Sequence, residues 1–132
     1  MIEFTVYVEP ATQGSMKPVR RGGRTYIIHD NDEKVTTTRQ AIAVAALASG
    51  VRPVDGPVAV TIKAYLSRGK SVKRKYPTVR PDLDKIERLV LDALKGIAWV
   101  DDSQVIDFDK VSKRYADDGP PRVEISIKEV AS

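Results

Sequence analysis

The chain has 132 residues, enough for one domain whose core needs no disulfide or metal staple. It contains no cysteine and one histidine, His29, which excludes disulfides, thiolate zinc sites and cysteine nucleophiles and argues against a serine–histidine triad. Apolar content of 42% and charged content of 30% are those of a globular chain; with no apolar run near the roughly 18 residues of a membrane span and no signal-peptide pattern, a soluble, cytoplasmic protein is expected.

The net charge is +4, from 22 basic and 18 acidic residues, and the isoelectric point is near 9.4. Distribution says more than total. Between Pro10 and Ile28 the chain carries Lys17, Arg20, Arg21 and Arg24 with no acid among them. From Ser67 to Pro81 it carries Arg68, Lys70, Lys73, Arg74, Lys75 and Arg80, again with no acid. Two such blocks around an acidic focus suit a polyanion such as DNA; solvated basic loops are the plainer reading.

In chain order, Ile2–Val8 alternates apolar and polar side chains and predicts a strand ending at Pro10. Ala11–Gly23, rich in Gly, Ser, Thr and Arg, reads as an exposed loop, and Arg24–Ile28 as a short strand. Asp30-Asn31-Asp32 lacks the glycine and distal glutamate of a calcium loop and reads as a cap. The helix it caps is expected over Glu33–Ser49, closed by Gly50, with Ala41, Ile42, Val44, Ala45, Leu47 and Ala48 on its apolar face. Val58–Leu66 is the strongest strand pattern in the chain, with Val58, Val60, Ile62 and Ala64 on one face.

Ser67–Pro81 has no apolar period and reads as a basic loop in which Tyr76 is either a base-stacking platform or a simple anchor. A second helix is expected from Asp82 or Asp84 to Gly96, with Leu83, Ile86, Leu89, Val90, Ala93 and Leu94 as its buried stripe and Asp84–Glu87 as a capping box. Val105–Val111 and Arg122–Lys128 read as strands. The fold class is therefore α+β: a single domain with a mixed β-sheet packed with two main α-helices.

The acids concentrate in two places, Asp82-Leu83-Asp84 at the head of the second helix and Asp101-Asp102 after it. If the backbone at Asp82–Asp84 is extended, both carboxylates point one way, roughly 6.5–7 Å apart at Cα, while Leu83 turns into the core. That arrangement suits a hard divalent cation; plain N-terminal helix acids explain the same two residues. Asp102 joins them only if the segment after the helix runs back along it, since a helix of about 12 residues separates its ends by about 18 Å.

Arg80-Pro81-Asp82-Leu83-Asp84-Lys85, Leu91-Asp92-Ala93-Leu94 and Trp99-Val100-Asp101-Asp102-Ser103-Gln104-Val105 together resemble the RusA family of Holliday-junction resolvases. The resemblance is densest over residues 80–108, agrees in element order on both sides, and makes residues 1–132 a single RusA-like domain. It implies a homodimeric, Mg²⁺-dependent (or Mn²⁺-dependent) endodeoxyribonuclease of bacteria and their phages that nicks a four-way junction in two symmetric places, in recombination and repair. The metal ligands it implies are Asp82, Asp84 and Asp102, with Asp101 as neighbour to the last. The family has a lysine where this chain has Arg88, and its prototype has asparagine where this chain has Lys85.

Arginine stays protonated and presents a bidentate fork to phosphate, so Arg88 suits a charge-stabilising role better than a proton shuttle; an i,i+4 partnership with Asp84 is its plainer use. The basic blocks and Lys85 are the expected DNA contacts. Competing readings are a nuclease for other branched DNA, a junction-binding protein without cleavage, and a metal-dependent sugar-nucleotide transferase. The last needs a nucleotide-binding domain larger than this chain.

Overall fold

The computed structural model describes residues 1–11, 16–21, 24–29 and 32–131. Its strands are β1 (Ile2–Val6), β2 (Met16–Arg21), β3 (Arg24–His29), β4 (Val58–Leu66), β5 (Val105–Tyr115) and β6 (Arg122–Glu129), with helices α1 (Asp32–Ala48) and α2 (Leu83–Leu94). One mixed sheet has the order β1-β6-β4-β5, and β2 and β3 form a separate two-stranded ladder. The α+β class expected from the sequence is the observed one.

β4 lies inside the sheet, its backbone paired on both sides and most of its side chains buried. It pairs antiparallel with β6 and parallel with β5. A parallel neighbour requires a crossover connection, and α2 is that crossover. Val58, Val60 and Ile62 of β4, Val123 and Ile125 of β6, Ile42 of α1 and Ile86, Leu89, Val90 and Leu94 of α2 form the core between sheet and helices. α1 packs against α2 and β1, and α2 reaches β5, so α2 sits over the β5 side.

Several expectations are corrected. The loop expected over Ala11–Gly23 contains β2, whose Lys17, Val19 and Arg21 pair with Ile28, Tyr26 and Arg24. The run Met16–Arg21 carries three cations and a proline and so shows no apolar alternation; the signal in the sequence is the Gly22-Gly23 dipeptide between two runs that pair as strands. Asp30 and Asn31, read as a cap, lie outside the described residues.

In α1 the buried positions are Thr38, Ile42 and Ala46, one every four residues, while Val44 and Leu47 are 65% and 60% exposed. The helix is rotated from the expected face because Thr38 turns inward, its hydroxyl donating to the Lys34 carbonyl at 2.9 Å and the Glu9 carbonyl at 3.3 Å. Gly50 closes the helix as expected, at φ 86°. β5 runs four residues past the expected Val111, to Tyr115. Irregular register against β4 near Ala59 and Thr61 breaks its two-residue alternation.

Gly96 has φ 81°, and a Cβ there would meet no atom within 4 Å. Gly96→Ala is therefore opposed by backbone conformation alone and is expected to cost about 1–2 kcal/mol, measured as a lower midpoint in urea or thermal unfolding.

Candidate active site

The Asp-Leu-Asp stretch straddles the start of α2. Asp82 is the N-cap residue, extended at φ −74° and ψ 153°, and Asp84 lies in the first turn. The expected Asp84–Glu87 capping box does not form, because Asp84 is already inside the helix and the cap position belongs to Asp82. Nor does the Asp82 side chain cap it: its carboxylate accepts no hydrogen bond from the helix. Among the described residues, neither the Asp82 nor the Asp84 carboxylate accepts a hydrogen bond or joins an ion pair. Two exposed carboxylates are thus left without a structural use.

Leu83 does not turn into the core as expected. It is 40% exposed, and the buried stripe of α2 is Ile86, Leu89, Val90, Ala93 and Leu94. The segment leading to Asp82 is held from the sheet. Lys113 of β5 donates its ammonium to the carbonyls of Val79 at 2.6 Å and Pro81 at 2.8 Å. Pro77 is fully buried in the same segment. Lys113 escapes sequence reasoning because it sits in the polar end of a strand whose pattern has already faded.

After α2 the chain turns sharply. Gly96 donates its backbone N–H to the Trp99 carbonyl at 2.7 Å. Trp99 is wholly buried, and its indole N–H donates to Asp102 Oδ1 at 3.0 Å. Spacing alone holds this signal, an indole three residues before an acid. The other Asp102 oxygen, Oδ2, lies 3.5 Å from Arg88 Nη1, and the same nitrogen lies 3.6 Å from Asp92 Oδ1. Arg88 thus bridges Asp92 and Asp102 and is not the partner of Asp84. At 60% side-chain exposure it is a labile bridge, of the kind worth about 0–1 kcal/mol.

Asp101 and Asp102 have separate jobs. Asp101 caps the short 3-10 turn Asp102–Gln104 in a reciprocal capping box with Gln104. It accepts from the Ser103 hydroxyl at 2.6 Å and the Ser103 N–H at 3.1 Å. Gln104 donates to the carbonyls of Val54 at 2.7 Å and Gly56 at 2.9 Å, tying this turn to the connection before β4. The Ser103 hydroxyl, then its backbone N–H, hold the Asp101 carboxyl below its ordinary value of 3.8, with a smaller contribution from Lys95.

The three acids expected to share a metal are not gathered into one group. Among the described residues no three histidine, aspartate or glutamate side chains are placed to hold an ion. The tight turn at Gly96–Trp99 leads into the loop whose Asp102 meets the Arg88 side chain, and Arg88 lies four residues or about 6 Å along the helix from Asp84. Asp84, Arg88 and Asp92 open on a cleft of about 630 Å³ between α1 and α2, with Arg39, Lys85 and Glu87 also on its walls.

Of the expected DNA contacts, Lys70, Lys73, Arg74, Lys75, Arg80 and Lys85 are exposed. Arg68 is not available in the same way. Its guanidinium pairs with both Asp117 oxygens at 2.8 and 3.0 Å, donates to the carbonyls of Val72 and Arg74, and lies 4.1 Å over the Tyr115 ring. It braces the loop. The side chains of Lys17, Arg20, Arg21 and Arg24 lie outside the described residues.

A mixed sheet under two helices, with exposed acids and an arginine on the crossover helix, defines an α+β domain. A model of the family described as Endodeoxyribonuclease RusA matches residues 8–128. The chain is also 39% identical, over 147 aligned positions, to the "Uncharacterized protein YqaN" of Bacillus subtilis (strain 168); the alignment covers 99% of this chain and 98% of that protein. The chain belongs to the RusA endodeoxyribonuclease family.

Two measurements test the supports of this site. Lys113→Met removes a charged donor from two carbonyls; it is expected to cost about 2 kcal/mol and to speed backbone hydrogen exchange around residues 78–84. A carboxyl lowered in the folded state stabilises above its unfolded value and loses that contribution as pH falls through the folded one. Asp101→Asn, which does not titrate, is therefore expected to reduce the loss of stability between neutral pH and pH below 3.8, followed by denaturant unfolding across pH.

Proposed function

We propose that this protein is a divalent-metal-dependent, structure-specific endodeoxyribonuclease that resolves four-way DNA junctions by paired symmetric nicks. The observation that carries the proposal is the family match over residues 8–128, together with two exposed, unpartnered carboxylates at the head of α2. No helix among the described residues is long and apolar enough to cross a membrane.

Asp82 and Asp84 fit a hard cation by donor type and by having no competing hydrogen bond. Mg²⁺ keeps several of its waters and is commonly held by one or two carboxylates, so a two-acid platform suffices to bind it; Mn²⁺ takes the same ligands. Asp102 is not grouped with them in this structure; it would join the set through Oδ2, the oxygen that Arg88 now holds, by a shift of its loop. A bound divalent ion supplies an acidified water and polarises the scissile phosphodiester.

The chain's residues do the rest. Arg88 exchanges its exposed carboxylate partners for the phosphate and offsets the charge that develops on it. Trp99 keeps Asp102 oriented throughout, and Lys113 keeps the Asp82 approach fixed. The exposed lysines and arginines of the 67–80 segment and Lys85 contact backbone phosphates, which position DNA without reading its sequence. The working form is a two-fold homodimer, because two equivalent cuts across a pseudo-two-fold junction require two equivalent sites.

A junction-binding protein without cleavage is the second reading, favoured by the failure of three acids to converge. Incubation of the protein with a labelled four-way junction and a matched linear duplex, with and without Mg²⁺, separates the two. The expected result is metal-dependent symmetric nicking of the junction alone, abolished in Asp82→Asn and reduced about a hundredfold in kcat by Arg88→Ala. Tight binding with no nicks from the unmutated protein leaves the second reading standing. Nicking of flaps in preference to junctions reassigns the substrate.

A further inference from the structure

α2 begins between two depressions of opposite electrostatic character. On the α1 side, the cleft walls carry Asp84, Glu87 and Asp92 against Arg39, Lys85 and Arg88, an even balance. On the β5 side, a groove of about 490 Å³ runs between Tyr76–Thr78 and the β5 residues 110–114, with Leu83 at its α2 end. Its lining includes Lys110, Lys113 and Arg114 and no carboxylate.

We propose that this groove holds the sugar–phosphate backbone of the strand being cut, with Lys110 and Arg114 as its phosphate contacts. The inference rests on the nuclease reading above and names the part of the surface its substrate would follow. Charge decides between the two depressions for the backbone away from the scissile phosphate: in the balanced cleft the acids offset the cations, whereas the acid-free groove attracts every phosphate. Lys110 is exposed and, among the described residues, makes no hydrogen bond or ion pair through its side chain, so a phosphate displaces nothing there.

Arg114 is exposed as well. Its Nη1 donates to the Lys113 carbonyl at 2.9 Å, and its guanidinium lies 5.3 Å from the centre of the Tyr76 ring. It is oriented before any ligand arrives while keeping donors to spare. Lys113 is committed to the Val79 and Pro81 carbonyls and contributes charge, not a contact. Among the described residues β5 pairs with β4 alone and stands at one end of the sheet, so no further strand lies beyond it there. Half-exposed Tyr76 and Leu83 give the sugar and base faces an apolar surface. The groove ends at the residue between Asp82 and Asp84, which brings a strand lying in it to the acids.

The test is binding of a fluorescently labelled four-way junction over a salt series without divalent metal, for the unmutated protein, Lys110→Ala, Arg114→Ala and the double variant. Removing one phosphate-binding cation lowers the slope of log K against log salt by about one, and removing both is expected to lower it by about two. Both side chains are exposed, so folding is spared. Nicking at saturating junction should keep its kcat while KM rises. An unchanged slope in the double variant would falsify the groove and leave the nuclease reading intact. Absence of junction binding by the unmutated protein would overturn both. Unchanged binding with a fall in kcat would place these residues in the chemistry and also overturn the proposal.

Discussion

The site depends on how far the chain can return after α2. A helix holds its two ends apart by its own rise, and residues at opposite ends meet only if the following segment travels back along it. Here the return is cut short by a turn at Gly96 and anchored by the burial of Trp99. The indole N–H carries a polar contact from the core to the acid loop. It sets Asp102 beside the middle of α2, and the intervening space is crossed by the arginine side chain. A long, always-charged residue at position 88 ties the acid loop to α2 by meeting both Asp102 and Asp92.

The larger elements are legible because burial is written into the sequence. β4 is legible to the residue, since its apolar side chains recur at every second position from Val58 to Leu66, and α2 follows from its three-and-four spacing. Elements without apolar alternation are hard to read. β2 carries charge and a proline, and no period in the sequence marks its pairing with β3. Leu83 belongs by spacing to the apolar stripe of α2, but the stripe starts one turn later and Leu83 faces the groove. The acids themselves are plain, and so is Arg88. Their partners are not, because Trp99 and Lys113 act through a single hydrogen-bonding atom, which no periodicity reports.

Charge composition also misleads in one respect. Arg68 belongs to the basic block but commits its guanidinium to Asp117, two carbonyls and the Tyr115 ring. Arg122 likewise sits between Asp118 and Glu124 and lies 3.9 Å from the Tyr65 ring centre. Counting cations overstates what a ligand can meet. Most of the exposed positive residues that remain lie on the 67–80 segment, on the helices and on the end strand β5.

The crossover from β4 through α2 to the parallel strand β5 puts the 67–81 segment beyond the carboxyl end of β4, where open sheets present their ligand-binding connections. A connection there takes no part in any ladder and is pinned to the domain by a few side chains, chiefly Arg68, Pro77 and Lys113. Between those pins, length and charge can be rewritten without altering a strand pairing. What the segment recognises and the stability of the sheet are therefore separately adjustable in this chain, and recombining such segments between relatives is a route to new specificities on an unchanged scaffold.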